Sequence, residues 1–209
     1  MTEQMPVFDQ GFWEELYGSQ TSVWSGRPNP QLVTEAANLR PGRALDAGCG
    51  EGGDALWLAS SGWRVTAVDF SATALERGAK QATSQGLDEQ ISWVRTDLTS
   101  WAPEEQFDLV SAQFMHLPTP ERTALFARLA AAVAPGGTLL IVGHHPSDLE
   151  TEAPRPQVPD MFFTAESVAA TLDDGWDPVV TDARPRTAAL PDGHEVSIRD
   201  AVLVARRRG

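Results

Sequence analysis

The chain has 209 residues, enough for one α/β domain with a full hydrophobic core, and 16 basic against 29 acidic residues give a net charge of −13. An acidic protein has no general attraction for phosphate backbones, so we expect no nucleic-acid partner and interpret Arg206-Arg-Arg208 as a solvated tail. A single cysteine, no run of about 18 apolar residues and an N-terminus without signal-peptide character predict a reduced, cytoplasmic protein with no membrane partner.

The N-terminal part of the chain reads as a helical lid on a larger core. Apolar side chains at helical spacing predict a first helix over residues Phe8 to Tyr17, and a turn-rich loop then leads to a second helix over residues 31–39. We therefore expect one domain over residues 1–209, with a lid at residues 1–40 and a core at residues 41–209.

Strands and helices alternate through the core. Strands are predicted at residues 43–47, 64–69, 91–95, 107–113 and 137–142, with helices at 52–61, at 72–85 and from Thr119 to the turn Pro135-Gly-Gly137. A Pro-rich loop over 143–159, a short helix at 164–168 and two strands at 178–183 and 195–206, separated by a loop over 185–193, complete the chain. The pattern predicts an α/β fold: a doubly wound, Rossmann-like, seven-stranded, mostly parallel sheet whose last strand is antiparallel.

A glycine-rich turn follows the first predicted strand, and the second strand ends in Asp69. This order builds a nucleotide site at the edge of a parallel sheet. The glycines alone fit NAD, FAD or S-adenosylmethionine, because Gly48 and Gly50 belong equally to G-x-G-x-x-G and G-x-G-x-G patterns. Asp46 discriminates, because a carboxylate beside the turn would repel a pyrophosphate but attract a ligand with an ammonium and a sulfonium.

The segment Leu45-Asp-Ala-Gly-Cys-Gly-Glu-Gly52 resembles motif I of the class I S-adenosylmethionine-dependent methyltransferases. Four later segments resemble further motifs of that family in the same order: Val68-Asp69-Phe70-Ser71, Asp97-Leu98, Phe107 to Val110 with Gln113, and Pro135-Gly-Gly137. The resemblance covers residues 43–142 strongly. It implies S-adenosylmethionine as the cofactor and a cofactor-binding role for Asp46, Gly48, Cys49, Gly50, Asp69, Phe70, Asp97, Leu98 and Gln113.

Within that family the acid matching Asp69 holds both ribose hydroxyls, and the residue matching Phe70 packs on adenine. The acid matching Asp97 accepts from the exocyclic amine. Cys49 is expected to be a small residue in a tight turn rather than a nucleophile, since the motif offers no supporting base.

Residues 12–17 and 23–30 resemble the lid segment of thiopurine, thiol, halide and tellurite methyltransferase-like proteins. In that group a tryptophan packs over the cofactor, and Trp24 is the matching residue. The match is confined to Trp24, Gly26 and Pro28, so it does not imply a substrate.

Methyl transfer needs mainly alignment and exclusion of water, and a general base only where the nucleophile must lose a proton. Histidines lie at the ends of the fourth and fifth predicted strands, and we take His116 and His145 as candidate catalytic bases. His116 alternatively caps the following helix. No metal site is predicted, because the histidines lack a carboxylate or cysteine at a recognisable ligand spacing.

We expect the methyl acceptor to be a small molecule with an oxygen, nitrogen or sulfur nucleophile, bound between the lid and residues 143–160. Ser111 to Met115 stand where an Asn-Pro-Pro-Tyr motif would indicate methylation of a base or glutamine amide. The oligomeric state stays open between a monomer and a homodimer. Two alternative functions also stay open: an NAD-dependent oxidoreductase on the same sheet, and a non-catalytic S-adenosylmethionine-binding module.

Overall fold

The computed structural model describes residues 10–155, 158–190 and 192–209, in which helices flank a single sheet. The strands are β1 Arg43–Ala47, β2 Arg64–Asp69, β3 Ile91–Arg95, β4 Phe107–Gln113, β5 Val133–His144, β6 Trp176–Ala189 and β7 Glu195–Arg207. The α-helices are α1 Gln10–Ser19, α2 Pro30–Ala36, α3 Gly53–Ser60, α4 Ala72–Gln85, α5 Thr119–Ala131 and α6 Ala165–Ala169. Short 3-10 turns cover Asp88–Gln90, Pro146–Glu150 and Pro159–Met161. Phe8, the predicted start of the first helix, lies outside the described residues.

The strands form one seven-stranded sheet in the order β3-β2-β1-β4-β5-β7-β6. All pairs from β3 to β5 are parallel, whereas β7 runs antiparallel between β5 and β6. The predicted α/β class and the antiparallel last strand are therefore confirmed. The order of the strands reverses between β1 and β4, and ligands of such sheets bind at the carboxyl ends of the strands that flank this switch point.

Local sequence signals set several boundaries as predicted. Ser71 caps α4 through its hydroxyl oxygen, which accepts from the Ala74 amide at 3.2 Å, and Gly86 closes the helix with φ +70°. Pro120 occupies the first turn of α5, where the missing N–H costs nothing. Both helix starts also bond to distant carboxylates, since the Ala72 amide donates to Glu14 at 3.1 Å and the Thr119 amide donates to Asp160 at 2.9 Å.

The end of α5 differs from the prediction. The helix stops at Ala131, and Val133 begins β5 opposite Phe107 instead of extending the helix face to the Pro135-Gly-Gly137 turn. The Phe107 amide donates to the Ala132 carbonyl at 2.9 Å, and Val133 is fully buried. Val133 therefore joins the sheet by pairing with β4, and the register between the two strands shifts between Phe107 and Leu109.

The predicted loop over residues 185–193 is also wrong. β6 and β7 pair from Trp176 opposite Arg207 to Ala189 opposite Glu195, with one register irregularity between Pro178 and Val180. Pro185 does not interrupt β6, because a strand at the edge of a sheet leaves one side of its backbone unpaired. β5 pairs with β7 only as far as His144 opposite Asp200, so residues 185–190 and 192–199 project beyond the carboxyl end of β5. We call this extension the arm.

The arginines at residues 206–208 form no solvated tail. Arg206 and Arg207 belong to β7, and Arg207 donates to the Val133 carbonyl. Arg208 pairs with Asp177 on β6 at 2.6 Å. Backbone pairing of Arg206 with Thr138 on β5 and of Arg207 with Trp176 on β6 holds this basic segment on the sheet.

The sheet has an apolar core on each face. One face packs on α5 and α6, with Leu125, Leu129 and Val168 buried there. The other packs on α2 and α3, with Leu32 and Leu58 fully buried. In the parts of the chain that the structure describes, no helix is long and apolar enough to cross a bilayer.

Candidate functional site

The glycine turn between β1 and α3 forms a tight cradle. Gly48 and Gly50 have φ values of +74° and +52°, a left-handed region that side chains disfavour. A Cβ atom at Gly48 would lie 2.7 Å from the Met115 sulfur, and one at Gly50 would lie 2.9 Å from the Tyr17 hydroxyl oxygen. The turn is therefore enclosed by the segment after β4 and by the lid, and only glycine fits at either position.

Asp46 lies at the end of β1 under this turn and is only 2% exposed. Its Oδ2 atom has no hydrogen-bond partner among the described residues. Burial raises the pKa of the Asp46 carboxyl well above its usual value, and the charges of Asp54 and Asp69 raise it further. An unpaired buried oxygen of this kind costs about 1–3 kcal/mol, which a ligand with a hydrogen-bond donor would recover.

Gln113 presents a second unpaired oxygen on the neighbouring strand. Its Nε2 atom donates to the Ser111 hydroxyl at 2.7 Å, whereas its Oε1 atom is buried and has no partner in the described ranges. Ser111 lies opposite Asp46 in the register of β1 and β4. The switch point thus carries two buried acceptor oxygens that an ammonium group fits and a pyrophosphate does not.

Asp69 ends β2 with both carboxyl oxygens tied to backbone. Oδ2 accepts from the Gly50 amide and Oδ1 from the Ser71 amide, each at 2.9 Å. Burial raises the pKa of Asp69, while the Ser71 and Gly50 amides oppose that shift. A carboxylate offers about four lone-pair sites, so two remain for the ribose diol that the sequence predicts.

Cys49 lies between the two glycines, where its amide donates to the Val68 carbonyl at 3.0 Å. Burial raises the pKa of its thiol well above the usual value, and the charges of Asp46 and Asp69 add to the shift. Nucleophilic cysteines need the opposite shift. This environment supports the interpretation of Cys49 as a small turn residue.

The predicted adenine-binding residues occupy different environments. Phe70 is half-buried after β2, and Leu98 is buried in the apolar core. Asp97 is exposed, and its Oδ1 atom accepts from the amide and hydroxyl of Thr99 at 2.8 and 2.7 Å. Asp97 thus builds a local turn, and its contact with adenine stays a prediction.

Trp24 lies against the glycine turn. Its indole Nε1 donates to the Tyr17 hydroxyl at 2.9 Å, and this same nitrogen would lie 3.2 Å from a Cβ atom at Gly50. The ring is 49% exposed and packs beside Trp13, with 6.1 Å between ring centroids. The structure thus brings Trp24 to the predicted cofactor turn, and its role as a cofactor cover stays a prediction.

Glu51 holds the lid in this position, which the sequence analysis missed. The Glu51 carboxylate accepts from the amides of Val23 and Trp24 at 3.1 and 3.0 Å and pairs with Arg77 at 2.7 Å. Burial alone would raise the pKa of Glu51, but the Trp24 amide, Arg77 and the Val23 amide lower it below its usual value. Glu51 therefore stays ionised and joins the cofactor turn to the lid.

Arg77 on α4 completes this connection. One guanidinium nitrogen pairs with Glu51, and the other donates to the carbonyls of Tyr17 and Gln20 at 2.6 and 2.5 Å. The end of α1 is thus tied to the same arginine as the glycine turn. No local sequence pattern marks Arg77, because its partners lie on other elements.

The two predicted catalytic histidines have different surroundings. The His116 ring lies 5.7 Å from Trp13 and 5.4 Å from His144, and burial lowers its pKa to about 4, with the Arg155 charge adding to the shift. His145 instead caps the turn over Pro146–Glu150, and its Nδ1 atom contacts the Ser147 amide at 3.2 Å. A base role for either histidine stays a prediction.

His144 is the last residue of β5 and precedes His145, the predicted base. Its ring contacts Phe114 and Phe162, with centroid distances of 4.7 and 5.8 Å. Its Nδ1 atom is buried and makes no hydrogen bond to the described residues. Burial, with the charges of Arg155 and Arg186, lowers the pKa of His144 far below its usual value, so the ring is neutral.

Phe114 owes its position to a strained backbone. Its φ of +52° is the single left-handed value at a residue other than glycine in the described ranges. Such a conformation costs on the order of 1–3 kcal/mol and concentrates at functional sites. The bend turns the chain after β4, so that the Phe114 ring contacts His144 while Met115 lies on Gly48.

Among the described residues, no group of three or more histidine, cysteine and acidic side chains is placed to hold a metal ion.

Comparisons with known proteins agree with this arrangement. A family profile described as a methyltransferase domain matches residues 44–137. A probable thiol methyltransferase 2 of Arabidopsis thaliana is 33% identical over 135 residues, which are 62% of this chain and 60% of that protein. Thiocyanate methyltransferase 1 of Brassica oleracea is 34% identical over 105 residues, 49% of this chain and 46% of that protein. The chain thus spans about half to three-fifths of the length of these relatives.

A solved structure is similar over nearly the whole chain. Its description concerns the conversion of a disulfide bond into a thioacetal group during echinomycin biosynthesis. The two structures superpose with a TM-score of 0.71 and 26% sequence identity, over 95% of this chain and 92% of that chain. The matched profile shows that residues 44–137 are similar to a methyltransferase domain, and the strand order with its antiparallel seventh strand is the Rossmann-like arrangement that the sequence predicts. Together these findings support a class I S-adenosylmethionine-dependent methyltransferase.

Proposed function

We propose that the protein transfers a methyl group from S-adenosylmethionine to an oxygen, nitrogen or sulfur atom of a small molecule. The observation that carries the proposal is the pair of unpaired buried oxygens, Asp46 Oδ2 and Gln113 Oε1, beside the glycine cradle. They suit a ligand with an ammonium and a sulfonium and would repel a pyrophosphate. When bound, S-adenosylmethionine supplies a methyl group on a sulfonium that is already an activated leaving group.

The chain's own groups would bind and orient this cofactor. Asp69 would accept from the ribose hydroxyls, and Asp46 and Gln113 would accept from the amino acid part. Trp24 and Tyr17 would cover the turn and exclude water, which favours methyl transfer to the acceptor over side reactions. The relatives named for thiol and thiocyanate methylation support a small-molecule acceptor. The single cysteine supports a reducing, cytoplasmic location as part of the proposal.

Isothermal titration of the full chain tests the cofactor assignment. We expect S-adenosylhomocysteine to bind and NAD to give no heat. Binding of NAD without S-adenosylhomocysteine would replace the proposal with the oxidoreductase alternative.

Mass spectrometry then tests catalysis, with S-adenosylmethionine and a set of thiols, phenols, amines and carboxylic acids. A mass gain of one methyl group in an acceptor, dependent on the protein, is the expected result. Tight cofactor binding with no methylated product from any acceptor would favour the non-catalytic module.

A further inference from the structure

We propose that the methyl acceptor carries a carboxylate that binds between Arg186 and His144. This inference deepens the proposed function and rests on it, since it names the substrate class of the same site. The carboxylate is the group by which the acceptor is held. The arm brings Arg186 to the carboxyl end of β5.

Arg186 is oriented by a buried acid. Its Nε atom donates to both oxygens of Asp200, at 2.8 and 2.9 Å, and Asp200 is only 1% exposed. Gln31 also donates to Asp200, at 3.2 Å, so the acid is held from both sides. The guanidinium carbon of Arg186 lies 5.8 Å from the centroid of the Phe114 ring. Asp200 thus fixes the plane of the guanidinium beside the aromatic residues after β4.

The remaining donors of Arg186 are available to a ligand. Its Nη1 and Nη2 groups donate to no protein group in the described part of the chain, and its side chain is 34% exposed. Two N–H groups on one rigid plane match the two oxygens of a carboxylate, which is the geometry that arginine recognises best. A neutral alcohol, thiol or amide uses at most part of this fork.

His144 supplies the second half of the site. Its ring is held between Phe114 and Phe162, and its buried Nδ1 atom has no partner among the residues that the structure describes. The ring is neutral, so Nδ1 carries a hydrogen in one of the two tautomers and then donates to an anion. Phe114 contacts both His144 and Arg186, which places the two donors around one aromatic ring.

The local charge favours an anion although the whole chain carries −13. Both nearby arginines, Arg155 and Arg186, lower the pKa of His144, after burial as the largest cause. Asp148 and Asp200 pair with these arginines, at 3.4 and 2.8 Å, and so orient them. The positive ends of both ion pairs therefore act on the His144 ring, and a singly charged planar anion complements that field.

Direct binding tests the inference on the full chain saturated with S-adenosylhomocysteine. Acetate, benzoate and succinate are each titrated against the corresponding amide, in wild-type protein and in Arg186→Gln. We expect at least one carboxylate to bind about tenfold or more tighter than its amide, as charge-assisted hydrogen bonds require, and the preference to vanish in Arg186→Gln. Arg186→Lys, which keeps the charge but loses the fork, should restore only part of it.

Two controls separate the possible failures. Arg64→Gln removes a positive charge at the start of β2, away from the carboxyl ends of the strands, and should leave the preference unchanged. The double variant Arg186→Gln with Asp200→Asn avoids leaving a buried acid unpaired, and it should lose the preference while it binds S-adenosylhomocysteine normally. A wild type that binds S-adenosylhomocysteine but prefers no carboxylate over its amide overturns this inference alone. A wild type that does not bind S-adenosylhomocysteine overturns the proposed function.

Discussion

Glu51 and Arg77 form an ion pair at 2.7 Å that joins the glycine turn, α4 and the lid. Glu51 is 5% exposed, and its remaining oxygen capacity is used by lid amides of Val23 and Trp24. The two residues are 26 positions apart and belong to no common motif. The cofactor turn and its cover are thus one connected unit, since the same carboxylate contacts both.

We expect Glu51→Ala to release the lid. The substitution removes the charged partner of the half-buried Arg77 guanidinium, which keeps only the Tyr17 and Gln20 carbonyls, so it should cost about 1–3 kcal/mol. S-adenosylhomocysteine should bind at least about tenfold more weakly, because part of its binding free energy must then order the released lid. Titration calorimetry measures the affinity, and the part of the acrylamide quenching that disappears in a Trp24→Phe background reports the exposure of Trp24, one of seven tryptophans.

Glu105→Ala is the matched control for this variant. Glu105 pairs with Arg43 on the surface, and the two side chains are 65% and 44% exposed. Exposed pairs contribute about 0–1 kcal/mol, so melting temperature and affinity should stay near wild type. If both alanine variants behave alike, Glu51 has no special role in holding the lid.

The elements that sequence predicts well are those with local causes. β1 to β4 have the predicted bounds, because apolar runs bounded by glycine turns and caps leave little choice. The start of β5 and the arm were missed, because their pairing partners decide them. Val133 joins the sheet through Phe107, and residues 185–189 through residues 195–199. At these positions the backbone hydrogen bonds between paired strands outweigh the local helix and turn propensities.

The candidate site divides in the same way. Asp46, Gly48 and Gly50 follow from one contiguous motif and Asp69 from the end of the next strand, and the structure brings Gly50 and Asp69 into contact. Arg186 was not predicted, because the arm that carries it was read as a loop. His144 ends β5 and His145 follows it, and only the backbone direction there decides that His144 contacts Phe114 while His145 caps a turn.

We expect Asp69→Ala to lose most affinity for S-adenosylhomocysteine. The substitution removes the free lone pairs proposed for the ribose and also the acceptors of the Gly50 and Ser71 amides. Hydrogen bonds to a charged group contribute about 1.5–3 kcal/mol each, so the loss should exceed about tenfold. Calorimetry measures the affinity, and circular dichroism establishes that the variant is folded. Asp177→Ala, which removes a surface acid from β6, should bind as wild type does; wild-type affinity in a folded Asp69→Ala would refute the ribose assignment.

The buried acids at the turn predict an unusual dependence of stability on pH. Burial raises the pKa of Asp54 from 3.8 to about 6, and it also raises the pKa of Asp46 and Asp69. A raised pKa means that the folded state binds the proton more tightly than the unfolded state. The resulting stability is fully present below the unfolded pKa and is lost as the pH rises through the folded pKa. We therefore expect the contribution of Asp54 to fall between pH 3.8 and about 6.

Asp46→Asn separates the destabilising effect of the buried Asp46 carboxylate from its proposed role in cofactor binding. The amide removes a buried charge that lacks a full set of partners, so the ligand-free variant should melt at a higher temperature than wild type at neutral pH. The same variant should bind S-adenosylmethionine more weakly, because its ammonium and sulfonium lose a negative neighbour. Thermal melts from about pH 4 to about pH 8, with and without cofactor, test both effects. A variant with lower stability and unchanged affinity would contradict the assignment of Asp46 to the cofactor.

Gly50→Ala tests whether the lid truly lies on the cofactor turn. The new Cβ atom would lie 2.9 Å from the Tyr17 hydroxyl oxygen and 3.2 Å from Trp24 Nε1, on a backbone with φ +52°. Gly86→Ala is the matched control, since its φ of +70° imposes a similar backbone strain with no atom within 4 Å of the new Cβ. Both variants should lose about 1 kcal/mol of stability from the left-handed backbone. Gly50→Ala alone should also weaken S-adenosylhomocysteine binding, because Tyr17 and Trp24 must move away from the turn. Equal affinities in the two variants would mean that the lid contact contributes nothing to cofactor binding.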